Sequence, residues 1–237
     1  MITLLLAGQA RVGKTTAANY IANQAKKQEY KPIILPFAQA IKDAAAEAGI
    51  TKDKSPVEYR AFCQSIGEAK RKENPDHWIN LFKEKWLELY EKDVKAAQSL
   101  DKIWKETIVI VDDCRYLNEL NLGKQLGAKT IMISRGSRVL PEHDADWRKH
   151  ESEDMANQFE AGNKDYQDIF NYIVKNEGTK EDFNHKLKDR IPLWFDATPF
   201  SYLECDCAGC AKMKKDEKIS IEDIFRELFQ EEDDDGA

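Results

Sequence analysis

The chain opens on an unbroken apolar run, Ile2-Thr3-Leu4-Leu5-Leu6-Ala7, which has the length and character of a strand buried on both faces. After a short loop, residues 16–22 lack Gly and Pro and predict a helix. Residues 32–36 predict a second short buried strand, and the alanine-rich stretch 37–48 predicts a helix closed by Gly49. Ser55-Pro56-Val57-Glu58 has the form of a helix start, with Ser55 as N-cap and Pro56 in the first turn. That helix carries Tyr59, Arg60, Phe62, Cys63, Gln64 and Ile66 up to Gly67, and its apolar members are expected to bury much of it. Residues 69–76 predict a polar, basic break. Beyond it Ile79, Phe82, Trp86, Leu89 or Tyr90, and Val94 recur at helical spacing, as in a long amphipathic helix.

The third strand is Thr107-Ile108-Val109-Ile110-Val111, running into Asp112-Asp113. A helix through Leu117, Leu120 and Leu126 leads to a fourth strand over 129–134, and 169–174 predicts the fifth. Thr179 is the expected N-cap of the helix that follows. About seventy mostly helical residues separate strands two and three. That is too long for a simple crossover and implies helices built over one end of the sheet. Repeated strand–helix units predict an α/β fold with a doubly wound parallel sheet and ligands at the carboxyl ends of its strands. No internal repeat is present.

The loop after the first strand has the spacing Gly8-x4-Gly13-Lys14-Thr15, with Arg11 inside it and Thr16 after it. Strand, glycine loop and helix in that order predict a phosphate-binding loop. Its glycines let backbone N–H groups turn inward around a polyphosphate, and the helix N-terminus adds positive potential. Lys14 then reaches the terminal phosphates and the Thr15 hydroxyl can ligate Mg²⁺. Asp112 and Asp113, at a neighbouring strand end, are candidates for the same metal; which of the two serves it stays open, the other capping the next helix. Arg115 follows two residues on, placed to meet an anion beside the triphosphate. Arg135, Arg138 and Arg148 fall in 135–150, an irregular, charged stretch with the composition of a mobile flap, and are candidates for closing over phosphates. Arg60 and Gln64 are four residues apart, hence on one helix face, and suit a base or phosphate in an acceptor site.

Composition narrows this reading. The formal net charge is −7, but residues 231–235 carry five negative charges, leaving −2 for the rest. No basic stripe dominates, so a nucleic-acid polymer is not an expected partner. No run is long and apolar enough for a membrane span, and the first apolar run has no basic leader, so the expected compartment is cytoplasmic. Five cysteines without a secretory signal argue for free thiols.

Seven pieces appear in order: Gly8-x4-Gly13-Lys14-Thr15, Pro36-Phe37-Ala38, Arg60-x3-Gln64-x2-Gly67, Asp76-x-Trp78, Asp113-x-Arg115-x2-Asn118-Glu119, His150-Glu151-Ser152-Glu153 and Asn176-Glu177-Gly178-Thr179. Together they resemble the deoxynucleoside monophosphate kinases of tailed bacteriophages, a branch of the P-loop kinases related to dephospho-CoA kinase. The resemblance covers roughly residues 1–190. It implies a five-stranded parallel sheet flanked by helices, a helical acceptor-binding insertion at about 50–100 and an arginine-bearing lid at about 135–150. The implied reaction moves the γ-phosphate of ATP, with Mg²⁺, onto a (d)NMP. By position, Arg60, Gln64, Arg71, Trp78, Asp113 and Arg115 would hold the acceptor, and Arg115, Arg135 and Arg148 would work with Lys14 on the phosphates. ATP would lie on Gly8, Arg11, Gly13, Lys14, Thr15 and Thr16, with Asn176 to Thr179, including Gly178, near its adenine. Two rival readings stand: a P-loop kinase of another small acceptor such as dephospho-CoA, and a regulatory P-loop ATPase.

Residues 191–237 lie beyond the resemblance. Cys205, Cys207 and Cys210 crowd three thiols around a glycine turn, but without a second cysteine pair they are expected to stay unliganded rather than bind zinc. Ile221, Ile224, Phe225 and Leu228 have helical spacing, and the acidic end after Gln230 is expected to be disordered. The oligomeric state is left open, a homodimer included.

Overall fold

Five parallel strands form one sheet in the order β2-β3-β1-β4-β5, so the first strand lies at its centre. They are β1 (Ile2–Ala7), β2 (Lys31–Ile34), β3 (Thr107–Cys114), β4 (Lys129–Ser134) and β5 (Tyr172–Lys175). The computed structural model describes residues 1–98, 105–136 and 150–195. Arg138, Arg148 and most of the expected lid, the three clustered cysteines, and the expected C-terminal helix and tail lie outside them. Among the described residues no helix is long and apolar enough to cross a membrane.

Both faces of the sheet are covered, so its central strands are buried at nearly every position and mostly apolar. Leu4, Leu6, Ile108, Ile110, Ile131 and Ile133 face α1 (Lys14–Lys27), which packs close through Ala17, Ala18 and Ala25. The same core takes Phe183 and Leu187 of α8 (Lys180–Lys188) and Ile191, Trp194 and Phe195 of α9 (Ile191–Phe195). The core therefore takes in α9, beyond residue 190. On the other face α5 (Leu117–Gln125) crosses β1 closely, since a Cβ on Gly123 would come 2.5 Å from Leu5 Cδ2. There Trp86 of α4 (His77–Gln98) donates its indole N–H to Thr3 Oγ1 at 3.0 Å.

The segment between β2 and β3 is helical, in α2 (Gln39–Glu47), α3 (Pro56–Glu73) and α4. Two expectations fail here. Most of the predicted basic break, residues 69–73, is the last turn of α3, where Lys70, Arg71 and Lys72 are good helix formers and complement the C-terminal dipole, and only residues 74–76 separate it from α4. Only Gly67 of α3 is fully buried; Phe62, Cys63 and Ile66 are half-exposed because the helix rests on α2 and α4 along one side alone. The fifth strand also starts later than its apolar run suggests. Phe170 instead packs edge-on against Phe159, and Asn171 Oδ1 accepts the Thr130 N–H at 2.8 Å. A 3₁₀ turn (Glu151–Glu153), α6 (Asp154–Glu160) and α7 (Lys164–Gln167), which the sequence reading did not predict, fill the approach to that strand.

Candidate active site

The loop between β1 and α1 owes its shape to three residues with positive φ: Gly8 (140°), Arg11 (62°) and Gly13 (104°). A Cβ on Gly8 would collide with the Ile133 carbonyl oxygen, so this glycine is required where the loop leaves the sheet. A Cβ on Gly13 would meet Asn176 Nδ2 at 2.6 Å. Arg11 holds a left-handed conformation at a cost of about 1–3 kcal/mol, strain that the surrounding loop sustains.

Lys14 is buried at the start of α1, its Nζ donating to the carbonyls of Gly8 at 2.6 Å and Gln9 at 2.8 Å. Burial, and then the charge of Arg115, push its pKa down to about 8, against the pull of Glu153, Asp113 and Asp112. Thr15 and Thr16 face solvent.

The two aspartates at the end of β3 part company. Asp112 is buried and its Oδ2 accepts the Thr15 hydroxyl at 2.8 Å, while its Oδ1 is buried without a hydrogen-bond partner. A lone buried carboxylate oxygen is costly unless a cation faces it. Together with the Thr15 hydroxyl this donor set fits Mg²⁺, which also takes phosphate oxygens and water. Asp113 turns the other way: Oδ1 accepts the Phe37 N–H at 2.8 Å, Oδ2 the Ala38 N–H at 3.1 Å, and Lys42 Nζ stands 3.6 Å off. It ties down the Pro36-Phe37-Ala38 turn, so of the two candidate acids Asp112 is the one that meets Thr15.

Arg115 precedes α5 rather than starting it; Tyr116 is the N-cap. Its Nη1 pairs with Glu153 Oε1, and its backbone N–H donates to Glu119 Oε2 at 2.7 Å. Glu119 also accepts from Tyr116 N at 3.1 Å and lies 3.5 Å from Arg71 Nη2. Burial first, and the charge of Asp113 next, raise the Glu119 carboxyl to about 7. Arg71 lies over the Tyr116 ring, 4.0 Å from its centroid, a cation–π contact.

Arg71 and Arg115 line a cavity of about 620 Å³ together with Tyr116, Asn118, Met155 and Tyr166. Arg60, Gln64 and Trp78 are not among its lining residues. Trp78 is buried and donates its indole N–H to the Gly67 carbonyl at 3.2 Å, pinning α4 to α3. Asn176 donates its Nδ2 N–H to the Val12 carbonyl at 2.7 Å and so braces the loop. Gly178 (φ 89°) makes the turn into α8, where Thr179 and Asp182 form a capping box. Arg135 is half-buried just beyond β4.

No protein-family model and no curated protein matches this chain. Among solved structures it is similar to dephospho-CoA kinase from Campylobacter jejuni, at 13% identity with a TM-score of 0.44, over 81% of this chain and 95% of that one.

Sequence reasoning gave no role to Glu153 or Glu119, two buried acids that join the parts of this site. Glu153 stood inside a motif, but nothing in its local pattern marks it as a partner of residues far away in the chain. Glu119 carried one usable signal, its place three residues after the N-cap of α5.

Proposed function

We propose that this chain is a kinase that transfers the γ-phosphoryl group of ATP to a (deoxy)nucleoside monophosphate. The observation that carries the reading is Arg115, which lines the acceptor-sized cavity and is joined through Glu153 to Ala10 of the phosphate-binding loop. A cavity of about 620 Å³ accommodates a mononucleotide. Its arginines suit a phosphate and its Tyr116 and Tyr166 rings suit a base.

In the reaction an oxygen of the acceptor phosphate attacks the γ-phosphorus in line. The bond from that phosphorus to the bridging oxygen breaks, and ADP leaves with the electron pair. Lys14 and Arg115 offset charge on the transferring group, and the loop N–H groups hold the donor phosphates. Mg²⁺, held by Thr15 and Asp112, would neutralise the phosphate oxygens.

The test is ADP release with ATP and Mg²⁺ against a panel of dNMPs. ADP formation that depends on the added dNMP is expected. Hydrolysis indifferent to any acceptor would replace the reading with a regulatory ATPase, and turnover with a non-nucleotide alcohol alone would change the acceptor.

A further inference from the structure

Glu153 is almost wholly enclosed, at 1% relative exposure, although it is a carboxylate. Its two oxygens serve two different parts of the site. Oε2 accepts the Ala10 N–H of the phosphate-binding loop at 2.7 Å, and Oε1 holds Nη1 of Arg115. Four residues later Asn157 Oδ1 accepts from Gln9 Nε2 at 2.9 Å, so the segment grips the loop at a second point. At its start His150 Nδ1 accepts the Ser152 N–H at 3.1 Å, and Nε2 faces Glu68 Oε1 of α3 at 2.6 Å. Residues 150–157 thus touch the loop, the end of β3 and the helix that borders the cavity.

A buried carboxylate is costly unless its oxygens are matched, and breaking such a match on one side is costly. The guanidinium is a rigid fork of five N–H donors, so one Nη group can be fixed while others face a phosphate. Arg115 is 29% exposed and borders the cavity, which leaves it that freedom.

We infer that Glu153 is a positioning residue that fixes Arg115 against the phosphate-binding loop, holding the acceptor phosphate in register with the donor. This rests on the kinase reading above. It differs from a plain structural brace in where the damage falls when the pairing is broken.

Glu153→Gln separates the two. Glutamine keeps one acceptor oxygen for Ala10 but must turn an NH₂ group toward the guanidinium, which selectively breaks the Arg115 arm. The expected result is a fall of about tenfold or more in kcat/KM for the dNMP, with KM for ATP within about threefold of wild type. In an Arg115→Ala background the same substitution should cost less than about twofold, because the group it acts through is gone. Thermal unfolding of each variant, with Glu153→Asp as a second substitution, establishes that the compared proteins are folded. A rise in KM for ATP alone, or a full effect of Glu153→Gln without Arg115, overturns the proposal and leaves the kinase reading standing. A wild-type chain with no acceptor-dependent ADP release overturns that reading and the proposal with it.

Discussion

The Thr15 hydroxyl donates to Asp112 Oδ2 at 2.8 Å, joining the glycine loop and the start of α1 to the end of β3 across 97 residues of sequence. Neighbouring side chains on a strand point to opposite faces, so Asp112 and Asp113 cannot both meet Thr15. The pleat assigns Asp112 to the loop and sends Asp113 to the backbone of Phe37 and Ala38.

The two acids should therefore fail differently. Asp112→Asn is expected to lower kcat by about a hundredfold, roughly 3 kcal/mol of transition-state stabilisation, and to raise the Mg²⁺ concentration needed for half activity. Asp113→Asn exchanges one carboxylate acceptor for an NH₂ group facing a backbone N–H, at about 1–3 kcal/mol of stability. That corresponds to a loss of several degrees in Tm. Mg²⁺ titrations of ADP release and thermal unfolding of both variants check the division; the reverse pattern would return the metal to Asp113.

In the proposed kinase, Lys14 should make ATP binding pH-dependent. Its folded pKa of about 8 lies below the ordinary 10.5, so between those values the unfolded chain binds more protons and stability rises with pH. Below about 8 both states are protonated and the cost of burying the charge is felt in full. Arriving phosphates favour the charged amine, so binding at about pH 8.5 should take up protons. Calorimetry in two buffers of different ionisation heat should find that uptake in the wild type and none in Lys14→Met. Lys14→Ala should abolish transfer with the fold intact; activity within about threefold of wild type would remove the phosphate-loop assignment.

The apolar runs of β1, β3 and β4 were legible because a strand buried on both faces needs no partner to be recognised. The loop was legible because its glycines answer to local backbone geometry, Gly8 against Ile133 and Gly13 against Asn176. What escaped the sequence depends on distant neighbours. Trp78 in its motif gives no sign that its indole is spent on Gly67. Nor does Asn176 announce that its amide reaches Val12, 164 residues away. The end of α3 was missed for a local reason: three basic residues in a row read as a solvated break, although Pro75 and not charge stops that helix.

Glu119 should imprint itself on the pH dependence of stability. Its folded pKa of about 7 exceeds the ordinary 4.5, so between those values the folded chain holds the extra proton. The resulting stabilisation is complete below about 4.5 and is lost as pH rises through 7. Glu119→Gln keeps the shape of the cap without the titration. The Tm of the variant relative to wild type should therefore rise by a few degrees from pH 4.5 to 7.5, and a flat difference would show that Glu119 titrates normally.

Arg115 belongs to the acceptor side of the site in the proposed reaction. It borders the cavity, and the carboxylate of Glu153 ties it to the loop. Arg115→Ala removes a charge-assisted hydrogen bond worth about 1.5–3 kcal/mol, so kcat/KM for the dNMP should fall by about ten- to a hundredfold. KM for ATP should stay within about threefold. The same substitution strands a buried carboxylate, so its Tm should drop, and Glu153→Gln in the same chain should restore part of that loss by removing the unpaired charge. Steady-state kinetics with each substrate varied, beside unfolding of the single and double variants, make the measurement. Equal losses on both substrates would move Arg115 to the donor phosphates.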